Sequence, residues 1–209
     1  MAKHMVEERR KRILIADDDA QLVGKALEEL FMRYTQEGKI LTPTYDVQKI
    51  DLFEVLNGSY WHSLNIQERD TVVLDFHYNP ITKQDIAQSK GVYDLTKRNS
   101  GQSGFVYNAA TIVEFLTEQK KKSFIDGLER VLIWTSDKSK MKDPSFLMAE
   151  GFDVYGLIKG ENKDGKTILP EEGLVQHLDA IYEDAFQQQI KPLNHGWKKY
   201  AGKDLDEQI

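Results

Sequence analysis

Ile13-Leu14-Ile15-Ala16-Asp17-Asp18-Asp19 passes without a break from four apolar residues to three carboxylates. A short apolar run with two β-branched members reads as a strand buried on both faces, as in parallel sheets covered by helices. The acids then emerge at the carboxyl end of the strand, where open α/β sheets bind their ligands. Adjacent carboxylates repel one another, and burial raises their pKa values. A divalent cation relieves both, since hard oxygen ligands suit Mg²⁺ or Ca²⁺. The same acids can instead open a helix, because Asp is a good N-cap and a helix amino end attracts negative charge. Alone, the stretch leaves both readings standing.

Three further runs repeat the theme. Asp70-Thr71-Val72-Val73-Leu74-Asp75 also ends in a carboxylate, Arg130 to Ser136 ends in two hydroxyls, and Asp153 to Ile158 ends at Lys159. Thr44 to Ile50 alternates loosely and supplies a fifth strand. Helical spacing covers Ala20 to about Gln36, with Gly38 as its stop, and Ala109 to about Phe124. Leu52 to Leu64 allows a helix interrupted at Asn57-Gly58, a short helix follows Pro144, and a last one runs from Pro170 to about Phe186. Strands alternating with helices give a parallel sheet covered on both faces. Residues 79–108 are polar and read as a long loop.

The totals set limits. A chain of 209 residues can bury one large core, and a hydrophobic share of 40% is ordinary for a soluble globular protein. A net charge of -6 argues against a dedicated nucleic-acid binder, which carries a basic footprint. Without cysteine there is no disulfide framework, thiolate nucleophile or Cys-built zinc site, which suits a reducing cytoplasm. No apolar run approaches the roughly 18 residues of a membrane span. Residues 1–4 read as a cloning remnant, and Arg9 to Arg12 as a solvated approach to the first strand. His62, His77, His177 and His195 lack metal-ligand spacing and read as surface or boundary residues.

In a parallel sheet the strand ends gather on one edge, so Asp17, Asp18, Asp75, Thr135 and Lys159 converge. The set has a chemical logic. Acids hold a cation, another acid serves as nucleophile, and a hydroxyl and an ammonium grip a phosphoryl group. Gly160 to Thr167 fits the P-loop pattern literally, but Pro170 falls in the first turns of the helix it requires and two acids flank the phosphate position. A polar turn fits better.

The segments ILIADDD (13–19), TVVLD (71–75), RVLIWTS (130–136) and YGLIK (155–159) resemble the receiver domain of two-component response regulators. The resemblance implies a flavodoxin-like doubly wound sheet of five parallel strands in the order 2-1-3-4-5, spanning residues 13–186 with an insertion over 79–108. Residues 187–209 then form a C-terminal extension. It implies that Asp75 accepts a phosphoryl group from a histidine kinase or phosphotransfer protein. Mg²⁺ would be held by Asp17, Asp18, Asp75 and the main-chain carbonyl of His77. Thr135 would bond the phosphoryl oxygen, Lys159 would pair with the phosphate or with Asp75, and Ser136 and Tyr155 would belong to the switch region. The reading is a stand-alone cytoplasmic receiver that signals to a downstream protein by contact, without nucleic acid or membrane.

The chain departs from the family at several positions. Gly160 follows the lysine where the family carries proline, and Gly156 stands where it carries an aromatic switch residue. Tyr155, one residue earlier, points to the opposite face of its strand. These departures fit a receiver-like binding module that works without phosphorylation. A haloacid-dehalogenase-like phosphohydrolase, with Asp17 and Asp19 as nucleophile and acid/base, is the further alternative. It lacks the expected hydroxyl after the second acid and the late acidic pair.

Overall fold

The computed structural model describes residues 11–37, 40–51, 55–67, 70–77, 108–162, 164–182 and 190–195. Five strands form the central sheet: β1 (Lys11–Ala16), β4 (Tyr45–Lys49), β5 (Thr71–Asp75), β6 (Arg130–Thr135) and β7 (Asp153–Ile158). All neighbours are parallel, in the order β4-β1-β5-β6-β7. Counted among themselves, the five strands run 2-1-3-4-5, the flavodoxin-like order expected from the sequence.

The apolar runs explain the layers. Every residue of β5 is buried, as is β1 from Ile13 onward, because successive side chains enter cores on opposite faces. Leu14, Val72, Ile133 and Val154 meet Trp61 of α2 (Gly58–Ser63), Ile112, Phe115 and Leu116 of α3 (Ala109–Lys121) and Phe146 of α4 (Pro144–Leu147). Ile13, Ile15, Val73, Trp134 and Leu157 meet Val23, Ala26 and Leu30 of α1 (Ala20–Phe31) and Leu174, Val175 and Leu178 of α5 (Pro170–Tyr182).

Several local expectations are corrected. Helix α1 ends at Phe31, and Tyr34–Glu37 (β2) pairs antiparallel with Ile40–Pro43 (β3) where a last helical turn was expected. The apolar periodicity stops at Phe31, and Tyr34 and Thr35 favour extended backbone. Helix α2 spans only Gly58–Ser63, because the Asn57 side chain accepts from the Ser59 amide (2.9 Å) and caps it there. A 3₁₀ turn over Lys138–Lys142, capped by Asp137, carries no apolar signature and was not foreseen.

The long insertion lies almost wholly outside the described residues, but its ends do not. His77 and Asn108 form an isolated antiparallel bridge, and Asn108 then caps α3. At the other end of the chain, the Leu193 amide donates to the Val154 carbonyl (2.6 Å). Buried Asn194 accepts from the Val154 amide and donates to the carbonyls of Ala149 and Phe152.

Arg12 is not solvated. Its guanidinium pairs with Asp70, which is 0% exposed, and donates to the Leu64 carbonyl. His177 is buried rather than at the surface, and neither ring nitrogen has a hydrogen-bond partner among the described residues. Burial holds its pKa down, from 6.5 to about 4. The unfolded chain therefore takes up this proton first as pH falls. The stability linked to neutral His177 is intact above 6.5 and is lost as pH drops through about 4. His177→Leu should remove about 3 kcal/mol of that acid loss, read from urea midpoints across the interval.

Candidate functional site

The ends of β1, β5, β6 and β7 meet because their register is nearly level. Ala16 pairs with Leu74, Asp75 with Trp134, and Thr135 with Ile158. Asp17 therefore leaves β1 beside Asp75, and Lys159 follows directly from β7. The Lys159 ammonium lies 2.9 Å from Asp17 Oδ2 and 2.8 Å from Asp75 Oδ1. Asp17 is 1% and Asp75 8% exposed, so the ammonium bridges two carboxylates largely withdrawn from water.

The acidic stretch divides its labour. Asp19 accepts from the amides of Gln21 (3.1 Å) and Leu22 (2.9 Å) and caps α1. Its own amide donates to Asp17 Oδ1 (2.8 Å), which orients that carboxylate. Carboxylate oxygens of Asp17, Asp18 and Asp75 lie within 4.8 Å of one another, a cluster able to hold a metal ion. Hard cations take such oxygens, with water completing the shell. The helix-capping reading thus holds for Asp19, while Asp17 and Asp18 stand with Asp75 where a cation could sit, and capping engages the acid that a dehalogenase-like site would use as acid/base.

Electrostatics poise this cluster. Burial raises the Asp75 pKa above 3.8 and the neighbouring Asp17 charge adds to it, against the Lys159 hydrogen bond. Burial alone would lower that of Lys159, but hydrogen bonds and charge from Asp75 and Asp17 prevail and raise it above 10.5. Lys159 is the resident cation. Lys159→Met should tighten divalent-metal binding by about tenfold or more, measured calorimetrically, because the ion no longer competes with an ammonium. Unchanged affinity would mean that ion and lysine do not compete.

Thr135 is buried, and its hydroxyl accepts from the Asp137 amide (3.1 Å), which links the end of β6 to the cap of the 3₁₀ turn. Ser136 is exposed. His77 is exposed two residues beyond Asp75. Tyr155 packs against the α1 and α5 core, on the face of the sheet opposite Val131 and Ile133, and burial raises its pKa to about 12. On the Val154 side of the strand, a Cβ at Gly156 would stand 2.8 Å from Met141 Sδ of the 3₁₀ turn. Methionine fills the notch where the resemblance places an aromatic.

Gly160 adopts φ +84°, which proline cannot reach, so the proline of the resembled pattern could not stand here without a change of backbone. The P-loop-like segment is a polar turn closed by a bridge between Glu161 and Thr167. Asn162 accepts there from the amides of Asp164 and Lys166.

Sequence reasoning missed Trp134, whose ring centroid lies 5.1 Å from Lys159 Nζ. The period-two alternation of its strand was the available signal. Among the described residues no helix is long and apolar enough to cross a membrane. Comparison with family models, curated proteins and solved structures finds no match for the chain.

Proposed function

We propose that the protein is a receiver whose Asp75 accepts a phosphoryl group from a histidine kinase or phosphotransfer protein and which signals through protein contact. One observation carries the reading: a single ammonium joins Asp17 and Asp75 at the carboxyl rim of a parallel sheet, beside a third acid. A carboxylate oxygen of Asp75 attacks phosphorus as the bond to the donor nitrogen breaks, and that bond's electron pair stays on the imidazole. Lys159 balances charge on the transferred oxygens. The Thr135 hydroxyl, now accepting from Asp137, donates to one of those oxygens and so connects the site to the 3₁₀ turn. Asp17, Asp18, Asp75 and the main-chain carbonyl of His77 would hold Mg²⁺, which would supply charge neutralisation at the transferred phosphoryl group.

Acetyl phosphate with Mg²⁺ tests this directly. Intact mass should rise by one phosphoryl group, and beryllofluoride should alter the spectrum of the 3₁₀ turn. No adduct and no fluoride response would favour the phosphorylation-independent module, which the Met141 contact at Gly156 also suits.

Protons compete with the metal for Asp75. Because its pKa is raised, the bend at which Mg²⁺ affinity turns downward, as pH is lowered, should lie above the ordinary value of 3.8. Isothermal titrations at a series of pH values check this. Affinity that declines only below 3.8 would contradict the raised pKa.

A further inference from the structure

We infer that Trp134 is a positioning residue: its indole face holds the Lys159 ammonium between Asp17 and Asp75, and so sets how readily a divalent cation takes that place. The biological use of this device rests on the phosphoacceptor reading.

Trp134 stands opposite Asp75 on one side and Leu157 on the other. Alternation along the strand puts Lys159 on the same face as Leu157, so its stem rises past the indole. The ammonium lies 5.1 Å from the ring centroid, inside the roughly 6 Å over which a cation is drawn to an aromatic face. Trp134 is 0% exposed and the Lys159 side chain 16%, so water screens the attraction only in part.

The choice of side chain also needs a reason. The indole N–H is buried without a partner among the described residues, a cost that phenylalanine or leucine would not carry. Tryptophan does offer the strongest cation-binding face. A lysine ammonium is a compact charge on a flexible stem, and two carboxylates leave its direction of approach free. The ring supplies the third support. A metal ion arriving at Asp17, Asp18 and Asp75 thus meets an ammonium held from three sides.

Two measurements on the full chain decide the matter. Lys159→Met should change the tryptophan emission of the protein, and should change nothing when Trp134 is already phenylalanine. Emission indifferent to Lys159→Met overturns the inference. In calorimetric titrations with magnesium alone, Trp134→Leu should tighten binding about fivefold to thirtyfold, with Trp134→Phe between. In the Lys159→Met background the same substitution should act less than twofold. Equal tightening with and without Lys159 marks Trp134 as packing only and overturns the inference. So does no tightening, or no magnesium bound by any form. Neither readout involves phosphoryl transfer, so loss of the phosphoacceptor reading is seen separately, as a missing mass adduct.

Discussion

On the proposed reading, Asp75→Asn should take up phosphoryl groups from acetyl phosphate or a phosphohistidine donor at least about a thousandfold more slowly, with no adduct on the wild-type timescale. The amide matches the carboxylate in shape but has no anionic oxygen to attack phosphorus. The fold should survive, because Lys159 keeps its bond to Asp17 (2.9 Å) and the apolar packing beneath is untouched. Magnesium affinity should fall by about tenfold as the cluster goes from three carboxylates to two. Intact-mass spectrometry with a Tm control separates chemistry from folding. An adduct on Asp75→Asn at the wild-type rate would move the acceptor to another residue.

Arg12→Ala should cost about 3–5 kcal/mol of stability, the usual penalty for stranding one member of a buried ion pair. Asp70 is 0% exposed, and its Oδ2 accepts from Arg12 Nε (3.2 Å), Arg12 Nη2 (2.5 Å) and the Gln67 amide (2.9 Å). Its Oδ1 has no hydrogen-bond partner among the described residues, so the guanidinium supplies most of the compensation for a desolvated charge. The same guanidinium donates to the carbonyls of Leu64 (2.8 Å) and Asn65 (3.2 Å), tying the segment before β5 to β1. Urea denaturation reads the loss. The double variant Arg12→Met with Asp70→Leu should recover most of it, since paired apolar replacements are often tolerated where single deletions are not. A single variant as stable as wild type would mean that water screens the pair.

The sheet was legible because four of its five strands are largely apolar runs that end in polar residues and the edge strand Tyr45–Lys49 alternates, signals that depend only on nearby sequence. Asp17, Asp75 and Lys159 could be placed for the same reason: each follows or closes such a run, and level register does the rest. What escaped depends on contacts between distant segments. Arg12 looked like any charge before a strand until Asp70, 58 positions away, proved to be its partner. His177 has a polar side chain on an otherwise apolar helix face, and nothing local says that the face is covered. Met141 lies in a turn with no periodicity, and only the missing Cβ of Gly156 gives it a seat. Trp134 was in plain view within its strand, but its use emerges only from the neighbour one strand over.

The tail contact at β7 has a consequence for how the protein lives with its neighbours. An outermost strand with free amides and carbonyls is a template on which another chain can add, the first step toward fibrous growth. Here both main-chain groups of Val154 are already engaged, by Leu193 and Asn194. The molecule thus blunts its own sticky margin with its own sequence, and a chain cut short before this segment would offer that margin to strangers.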